Sequence, residues 1–487
     1  MVQSGKKLDE FKTWHKLNME TLQRTANRGS ISTGYDIDNS CKFEDDNDEW
    51  LYRTNVSGTN AKTWTLSWWF KQTELRSVNG AAAEHWRGGA YGEGTRAGID
   101  VNDRLWIDIG GGDGNTGSLF RSLSNQLIRD TSAWYHVVIA CDSTQSTEAD
   151  RLKVWLNGVE ITSWYQHQIP TLNFASALAG YAGIQMNWGS GDATYHGYSG
   201  YLAECNYLDG VTATQNDFGE FDDDSGIWKP KEYTGSYGTN GTYLDFADAS
   251  NLGDDESGNG NDYTLNNITS ADQSTDTPTN NFCTWNPLWV YQYQPIISEG
   301  ATKVRYDDST DEGAKATIGL TNGKWYWEAK PVGTIGSQYI GIQTDGDDNI
   351  ASGQSQLNDY TMTINPTGRY YSYAGSLSES AAGQFTSLTT SDWLGIALDM
   401  DSATQTIKYY VNGSLILTRD LISEMQGKTV FPFLQNYENR SWDINFGGYT
   451  INTISSAASD EEGYGTFEYA PPTGYYALCT KNLAEYG

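Results

Sequence analysis

The aspartates of the segment 98–110 are the nearest approach in this chain to the carboxylate pair of a glycoside hydrolase. Such an enzyme holds one carboxyl group on each side of the scissile bond, as acid and as nucleophile or base. The segment reads Gly-Ile-Asp-Val-Asn-Asp-Arg-Leu-Trp-Ile-Asp-Ile-Gly and offers Asp100 and Asp108 but no glutamate. The five histidines form no pair at metal-ligand spacing, and no Gly-x-Ser-x-Gly elbow is present. We therefore expect that the protein is not an enzyme.

Aromatic residues beside glycine and amide residues predict a different chemistry, the stacking of a sugar ring on an exposed side chain. Three segments have this composition, at 86–91, 187–198 and 436–442. The alternative is that their aromatic residues cover the ends of a domain or an oligomer interface. The candidate ligand-binding residues are Trp86, Tyr91, Trp188, Tyr195, Tyr198, Tyr437, Arg440 and Trp442.

Two acidic, glycine-containing segments at 253–262 and 345–349 offer hard oxygen ligands of the kind that Ca²⁺ prefers. Neither is an EF-hand, because the required glycine and the terminal glutamate are misplaced. Solvated turns are the alternative interpretation. The candidate calcium ligands are Asp254, Asp255, Asn259, Asp345 and Asp347, and calcium is the one cofactor that the sequence suggests.

The net charge of −31 excludes some partners. A nucleic-acid-binding protein needs a basic face to meet phosphates, and an anionic membrane surface would repel this chain. We expect no nucleic-acid partner. We also expect no membrane insertion, because no run of about 18 apolar residues is present. The five cysteines are widely spaced and form no CxxC pair, which predicts neither a disulfide framework nor a zinc site.

Residues 1–30 differ from the rest, with six Lys or Arg against three acidic residues, a net of +3 that leaves −34 for the remainder. Residues 8–24 have the apolar spacing of a short amphipathic helix that would be marginal alone. It either packs on its own domain or anchors the chain to a larger assembly. The candidate anchor residues are Leu8, Phe11, Trp14 and Leu22.

Two segments, 134–158 and 393–413, share one pattern: an aromatic-led apolar strand, an acidic loop, a second strand and an Asn-Gly turn. Asn-Gly supplies the positive φ angles of a type I′ turn into a third strand. The repeat predicts an all-β fold with two antiparallel sandwiches. The expected domains are a helical anchor at 1–30, a sandwich at 31–215, an ordered connector at 216–290, a second sandwich at 291–450, and a tail at 451–487 packed on a domain.

The second sandwich resembles the SPRY domain. The resemblance rests on Gly323-Lys-Trp-Tyr-Trp-Glu, Ile340-Gly-Ile, Gly395-Ile-Ala-Leu-Asp with Ile407-Lys-Tyr-Tyr-Val-Asn-Gly, and Asp443-Ile-Asn-Phe-Gly. It implies a bent antiparallel sandwich whose loops bind protein partners, without catalysis.

The first sandwich resembles laminin-G modules of the concanavalin-A-like jelly-roll class. The resemblance rests on Trp64-Thr-Leu-Ser-Trp-Trp-Phe, Trp134-Tyr-His-Val-Val, Val154-Trp-Leu-Asn-Gly and Tyr198-Ser-Gly-Tyr-Leu-Ala-Glu. It implies a module that binds glycans or proteins, often with Ca²⁺. Laminarinase-type glucanases of the same fold carry Glu-x-Asp-x-(x)-Glu, which residues 98–110 lack.

The connector and tail are similar to segments of virion-associated proteins of marine tailed phages. The carrying segments include Gly226-Ile-Trp-Lys-Pro, Thr277-Pro-Thr-Asn-Asn-Phe-Cys-Thr-Trp-Asn-Pro and Pro472-Thr-Gly-Tyr-Tyr-Ala-Leu-Cys-Thr-Lys-Asn-Leu. The resemblance implies a structural and adhesion protein of the virion, of tail-fibre or capsid-fibre type, made in the cytoplasm of a bacterial host. It would attach to other virion proteins through its N-terminus, assemble as a homo-oligomer such as a trimer, and bind a host-surface glycan or protein. The alternatives are a head-decorating or tail-stabilising protein without a receptor role, and a polysaccharide depolymerase.

Overall fold

Alternation of apolar side chains specifies the central strand of the first sandwich. Trp64, Leu66, Trp68 and Phe70 are all fully buried in one core cluster, as the period of two along a strand requires. The computed structural model describes residues 34–55, 60–76, 82–89, 94–111, 119–178, 183–189, 197–289, 296–305, 311–345, 360–374, 376–437 and 440–487. Within these residues the chain is nearly all β, and its antiparallel sheets form sandwiches, as predicted.

The first sandwich is built from strands β1 to β18. In chain order they are β1 (Ser40–Phe43), β2 (Trp50–Thr54), β3 (Thr63–Gln72), β4 (Ala83–Gly88), β5 (Thr95–Ile99), β6 (Arg104–Gly110), β7 (Leu119–Leu127), β8 (Tyr135–Asp142), β9 (Leu152–Leu156), β10 (Val159–Glu160), β11 (Trp164–His167), β12 (Gln185–Trp188), β13 (Gly200–Asp209), β14 (Gly219–Phe221), β15 (Trp228–Pro230), β16 (Thr242–Leu244), β17 (Thr264–Asn266) and β18 (Gln273–Ser274). Sheet I has the order β10-β9-β8-β3-β13-β1-β18, with β16 also paired to β13. Sheet II has the order β11-β7-β6-β5-β4-β12-β2-β17, and β14 and β15 form a separate hairpin.

The segment 216–290 contributes strands to both sheets of the first sandwich. β16 and β18 extend sheet I, and β17 is the edge strand of sheet II beside β2. The first sandwich therefore continues beyond residue 215, where the sequence pattern predicted that it would give way to a connector. The polar, turn-rich composition of this segment does not reveal that three of its short strands pair with the two sheets.

The second sandwich is built from strands β19 to β32. In chain order they are β19 (Ile296–Ser298), β20 (Lys303–Arg305), β21 (Asp311–Lys315), β22 (Lys324–Gly333), β23 (Gln338–Thr344), β24 (Thr361–Asn365), β25 (Arg369–Tyr373), β26 (Leu377–Glu379), β27 (Leu394–Asp399), β28 (Thr406–Val411), β29 (Ser414–Asp420), β30 (Val430–Tyr437), β31 (Arg440–Asn445) and β32 (Tyr476–Ala477). Sheet III has the order β19-β20-β31-β22-β27-β28-β29, with β32 parallel to β22. Sheet IV has the order β21-β30-β23-β24-β25-β26. The tail thus packs on this sandwich, and it ends in helix α1 (Thr480–Tyr486).

The repeated Asn-Gly turn has the same geometry in both sandwiches. Asn157 and Gly158 have φ angles of 48° and 77°, and Asn412 and Gly413 have 48° and 76°, as a type I′ turn requires. Asn157 Oδ1 accepts the backbone N–H of His136 at 2.7 Å, and Asn412 Oδ1 accepts that of Trp393 at 3.0 Å. The structural counterpart of Trp393 is therefore His136, two residues after the tryptophan that the sequence pattern aligns with it.

Buried ion pairs join the two sandwiches. Lys42 of β1 lies 2.9 Å from Glu49, 3.0 Å from Asp272 and 3.1 Å from Glu299, which precedes β20. Lys71 of β3 is fully buried, and its ammonium group lies 2.7 Å from Asp276. A buried charge without its partner is costly, so these ion pairs favour one relative position of the two sandwiches.

One outer face of each sandwich is covered by apolar residues. On sheet I, Trp69 and Tyr201 pack against Trp228 of the β14–β15 hairpin and Tyr449 from the second sandwich. On sheet III, Tyr326 and Ala397 are covered by residue 282 and by residues of the tail, which are Phe282, Phe467, Tyr475, Ala477 and Cys479. The candidate binding surfaces are therefore the outer faces of sheets II and IV.

The five cysteines are all buried and unpaired. Cys141 and Cys205 belong to the core of the first sandwich. Among the described residues no helix is long and apolar enough to cross a membrane.

Candidate functional site

The outer face of sheet II carries a row of charged and aromatic residues. In β6, Leu105, Ile107 and Ile109 point into the core, so Arg104, Trp106 and Asp108 lie on the opposite face. Neighbouring strands add to the row through their register, with Arg96 opposite Asp108 and Arg121 opposite Asp108 on the other side. We call this surface the arginine face; its members are Glu84, Arg87, Arg96, Arg104, Trp106, Asp108, Arg121 and Tyr165.

A buried ionic network forms the base of the arginine face. Arg121 donates from Nε and Nη2 to the two oxygens of Asp108, both at 2.8 Å. Arg96 bridges two carboxylates, with Nη2 2.8 Å from Asp108 and Nη1 3.2 Å from Glu84. Arg87 lies 3.6 Å from the other oxygen of Glu84. Burial raises the pKa of Glu84, against the opposing effect of Arg87 and Arg96.

One exposed aromatic ring and two partly exposed guanidinium groups form the rim of the arginine face. Tyr165 in β11 is 63% exposed, and the guanidinium of Arg104 lies 3.9 Å from its ring centroid. The side chain of Arg121 is 39% exposed. The guanidinium groups of Arg96 and Arg121 lie 4.7 and 5.7 Å from the ring centroid of Trp106. Aromatic rings paired with cations in this way hold the guanidinium planes in fixed positions.

The arrangement suits binding better than it suits stability. A buried ion-pair network is no more stabilising than apolar side chains of the same volume, because each charge loses its hydration. What the network does is fix the guanidinium of Arg121 through its bidentate contact with Asp108. On the same face, the partly exposed Arg104 lies over the exposed ring of Tyr165. Such a preorganised surface can stack on one ligand face and donate hydrogen bonds to its oxygen atoms.

Asp100 and Asp108 do not form the carboxylate pair of a glycoside hydrolase. Asp100 lies in the β5–β6 turn, where it accepts the backbone N–H groups of Asn102 and Arg104, both at 2.8 Å. Asp108 is four residues further along the strand from Arg104, which corresponds to roughly 13 Å. The two carboxyl groups of a glycosidase lie about 5–9.5 Å apart. The carboxylate that shares a partner with Asp108 is Glu84, and Arg96 lies between them.

Four of the aromatic residues predicted to line exposed loops lie in the cores instead, so the prediction of an exposed stacking surface is wrong for them. Trp86, Trp188 and Tyr198 belong to the core of the first sandwich and Trp442 to that of the second, each at most 1% exposed. A β-bulge between Glu84 and Trp86 directs the Trp86 ring inward. A ring without an exposed face cannot stack on a sugar.

The remaining predicted ligand-binding residues have separate outcomes. Tyr91 and Tyr195 lie outside the described residues, and so does the side chain of Tyr437. Arg440 is partly exposed at the start of β31 and borders Gly336, where an added Cβ would lie 2.9 Å from Arg440 Nε. The structure does not bring Arg440 together with the arginine face, which belongs to the other sandwich.

The acidic segment 253–262 uses its oxygen atoms to shape its own turn. Asp255 accepts the backbone N–H groups of Tyr243, Ser257 and Asn261, and Asn259 donates to the carbonyl oxygens of Gly238 and Gly241. Asp255 and Asn259 are thus engaged in hydrogen bonds that hold the turn itself.

The other candidate ligands give no cluster either. Asp254 is partly exposed, Asp345 is exposed, and Asp347 lies outside the described residues. Within the described ranges no group of three or more His, Cys, Asp or Glu residues is placed to hold a metal ion. The candidate anchor residues Leu8, Phe11, Trp14 and Leu22 also lie outside the described residues.

His136 of β8 is a buried residue whose two ring nitrogens both have hydrogen-bond partners. Its Nδ1 accepts the indole N–H of Trp228 at 3.0 Å, and its Nε2 lies 2.9 Å from Ser67 Oγ. Burial lowers the pKa of His136 to about 3, so the ring is neutral. The neutral ring stacks on Trp69 at 4.6 Å and helps to cover sheet I.

The sequence contained a signal for the arginine face. Residues 104–108 read Arg-Leu-Trp-Ile-Asp, so every second residue is charged or aromatic and the residues between are apolar. Alternation of this kind places Arg104, Trp106 and Asp108 on one face of a strand. The partners Glu84, Arg96 and Arg121 depend on the register between strands, which the sequence does not reveal.

Comparisons with known proteins give structural neighbours alone. No protein-family model matches the sequence, and no curated protein is similar to it. Among solved structures the chain is similar to the native heptameric SAP-like pentraxin from Limulus polyphemus, at 15% identity and a TM-score of 0.27 over 38% of this chain and 82% of that one. It is similar to the SPRY domain of human HERC1 at 15% identity and a TM-score of 0.26, over 35% of this chain and 99% of that one. It is also similar to the carbohydrate-binding module CBM66 from Bacillus subtilis, at 10% identity and a TM-score of 0.24, over 34% of this chain and 93% of that one.

Proposed function

We propose that this chain is a non-enzymatic adhesion protein of a phage virion, of tail-fibre or capsid-fibre type, and that the arginine face binds a glycan or protein of the host surface. The observation that carries the binding role is the rim, where Tyr165 is exposed, Arg104 and Arg121 are partly exposed, and the buried carboxylate of Asp108 holds Arg121. The virion assignment is supported by the phage-like segments of the connector and tail and by the basic segment 1–30.

Electrostatics support this location for the binding surface. The chain has twice as many acidic as basic residues, yet four arginines gather on one sheet face with two carboxylates at its base. Arginine and tyrosine are the side chains that contribute most to binding hot spots, because they combine a rigid plane with hydrogen-bond donors. On sheets I and III, by contrast, apolar clusters cover part of the outer face.

The test is the binding of purified protein to host cells and to their isolated surface polysaccharide. We expect Tyr165→Ala and the double variant Arg104→Ala/Arg121→Ala to lose at least about tenfold in affinity. Tyr165→Ala should keep the melting temperature, whereas loss of Arg121 takes one counter-ion from the buried Asp108, so binding is measured at a temperature at which circular dichroism shows both variants folded. Lys153→Ala, at a partly exposed cation on sheet I, is the matched control and should bind like the wild type. Unchanged binding by both variants would refute the arginine face as the contact surface.

The proposed attachment through residues 1–30 needs its own experiment. Deletion of these residues should abolish incorporation into particles and leave the circular dichroism and melting of the two sandwiches unchanged. Particles that still carry the truncated protein would refute the anchor. Mass measurement of the full-length protein in solution tests the accompanying proposal of a homo-oligomer, for which we expect a trimer.

Two alternative functions predict different experimental results. A head-decorating or tail-stabilising role without receptor binding predicts a location on the particle away from the host-facing end, which labelling of the protein on intact particles would reveal. A depolymerase would use Glu84, whose pKa is raised by burial, together with Asp108. It would release reducing ends from host polysaccharide, and Glu84→Gln would stop that release.

A further inference from the structure

Lys71 is a buried lysine whose ammonium group contacts both a carboxylate and a side-chain amide. Its Nζ lies 2.7 Å from Asp276 Oδ2 and 2.7 Å from Asn281 Oδ1, and it also donates to the carbonyl oxygen of Phe282 at 3.0 Å. The side chains of Lys71 and Asp276 are 0% and 1% exposed. A nitrogen nucleophile, an amide carbonyl group and a proton acceptor are therefore held together inside the protein.

The side-chain amide of Asn281 is fixed in one orientation. Its Nδ2 donates to the carbonyl oxygen of Ser132 at 2.7 Å, so the amide oxygen is the atom that faces Lys71. The backbone N–H of Asn281 donates to Thr480 Oγ1 at 3.0 Å. The amide carbon Cγ lies one C=O bond, about 1.2 Å, from Oδ1 and thus within about 3.9 Å of Lys71 Nζ. Reacting atoms in a near-attack arrangement are roughly 3–3.5 Å apart, so a small movement suffices.

The other contacts of Asp276 leave one of its oxygens for Lys71. Its Oδ1 accepts the indole N–H of Trp134 at 3.0 Å and the backbone N–H of Phe282 at 3.2 Å. The ring of Tyr201, which is fully buried, lies 6.0 Å from Lys71 Nζ. Transfer of one ammonium proton to Asp276 Oδ2 creates the neutral amine, which is the nucleophilic form, and leaves neither group charged.

We propose that Lys71 and Asn281 form an intramolecular isopeptide bond, with Asp276 as the proton carrier. Lys71 Nζ attacks Asn281 Cγ, and the new N–C bond replaces the bond from Cγ to Nδ2. Asp276 takes one ammonium proton before the attack, gives it to the departing Nδ2, and takes a second proton from the new amide nitrogen. Ammonia leaves, and the partial exposure of Asn281 gives it a path to solvent. One amide is made and one is broken, so the reaction needs no oxidant, reductant or cofactor.

A second buried lysine at the junction of the sandwiches has different partners. Lys42 Nζ donates to Glu49 and Glu299 and forms an ion pair with Asp272, all within 3.1 Å. The side-chain amide of Asn47 directs its Nδ2, not its oxygen, to the carboxylates of Glu49 and Glu299. We expect Lys42 to remain a free amine, because a carboxylate resists nucleophilic attack. The two lysines thus separate the effect of burial from the effect of a neighbouring amide.

The bond would connect the central strand of sheet I to the segment that leads into the second sandwich. It would close a loop between residues 210 positions apart. Force applied across this loop would then be carried by a covalent bond and not by the strands alone. A covalent link also lowers the conformational entropy of the unfolded chain, which raises the melting temperature. This inference does not depend on whether the arginine face binds a host molecule.

The test is mass spectrometry of the denatured full chain and of its tryptic peptides. We expect an intact mass lower than that of the sequence by one molecule of ammonia. Trypsin should not cleave after Lys71, and Lys71 and Asn281 should be recovered together in one branched peptide. Recovery of the two residues in separate, unmodified peptides would overturn the proposal, and this measurement on the wild type needs no variant.

Three variants assign the roles. Asn281→Ala removes the reacting amide, so it should restore tryptic cleavage after Lys71 and lower the melting temperature. Asn47→Ala, beside Lys42, is the matched control and should keep the branched peptide and the wild-type mass difference. Asp276→Asn should prevent the cross-link, and a normal yield of branched peptide in this variant would overturn the part assigned to Asp276. Loss of the ammonia and of the cleavage site in Asn281→Ala would likewise contradict the bond.

Discussion

Glu44 of the first sandwich accepts a hydrogen bond from the backbone N–H of Glu299 in the second, at 2.5 Å. Burial, reinforced by the nearby charge of Glu74, raises the pKa of Glu44 to about 8 from its ordinary value of 4.5. The carboxyl group therefore binds its proton more tightly in the folded protein than in the unfolded chain. Its contribution to stability is fully present below about pH 4.5 and is lost as the pH rises through about 8.

We expect the melting temperature to fall between pH 5 and pH 9 for this reason. Burial also raises the pKa of Glu204 and of Glu328 to about 7, and these groups act in the same direction. Glu44→Gln mimics the protonated carboxyl and should flatten the upper part of the curve, with each tenfold change in proton affinity worth about 1.4 kcal/mol. Scanning calorimetry across this range provides the measurement. A melting temperature that rises with pH would contradict the assignment.

Removal of Asp108 should be costly, because it would leave Arg96 and Arg121 without their shared carboxylate. We expect Asp108→Ala to lower the free energy of unfolding by about 3–5 kcal/mol, as breaking a buried ion pair does. Asp150, which forms an exposed pair with Lys153, is the matched control, and Asp150→Ala should cost less than about 1 kcal/mol. Urea denaturation gives both values. Equal costs for the two variants would show that the network is not effectively buried.

Replacement of Lys71 by methionine should loosen the junction between the sandwiches. Lys71 bonds to Asp276, to the Asn281 side chain and to the carbonyl oxygen of Phe282, and it is fully buried. Without it, the carboxylate of Asp276 keeps the indole N–H of Trp134 and one backbone N–H but loses its counter-ion. We expect a loss of about 3–5 kcal/mol and two separate calorimetric transitions. A single transition at the wild-type temperature would argue that the junction does not couple the domains.

The repeated turn offers a matched pair of substitutions. Gly158→Ala and Gly413→Ala both force alanine into a positive φ, which costs roughly 1–2 kcal/mol. At Gly158 the new Cβ would also lie 2.2 Å from the ring of Trp228, which is packed in the cluster that covers sheet I. At Gly413 it would lie 2.8 Å from the partly exposed ring of Tyr469, which can move. We expect Gly158→Ala to melt clearly lower than Gly413→Ala, and the reverse order would contradict the role of Trp228.

The sequence predicted those strands whose faces alternate without interruption. β3, β8, β9, β27 and β28 all have apolar residues at every second position, and both Asn-Gly turns follow directly from residue type. β4 was not predicted, because its bulge directs His85 and Trp86 to the same side and destroys the alternation. β7 was not predicted either, since Leu119–Leu127 interleaves serine and asparagine with its apolar residues.

The binding surface was harder to predict than the fold. A tryptophan beside glycine in the sequence has the same local signature whether its ring faces solvent or, like that of Trp188, packs between two other core rings. Burial of Trp188 depends on its pairing with β2 and β4, which lie more than 90 residues earlier in the chain. The arginine face is equally hard to predict from the sequence. Glu84 and Asp108 are connected through Arg96 on the strand between them, and this depends on strand register.

The parallel pairing of β32 with β22 has a consequence for the time course of synthesis. Trp325 pairs with Tyr476, which is synthesised about 150 residues later. At 5–20 residues per second this delay is roughly 8–30 seconds. The nascent second sandwich must therefore persist without its closing strand and without helix α1, whose first residue bonds to the backbone of Asn281 beside Lys71. We expect ribosome-bound chains stalled at residue 470 to be cut by protease in sheet III, whereas released full-length chains resist it. The order of the domains along the chain thus affects the rate of folding, because the contacts between the two sandwiches are completed last.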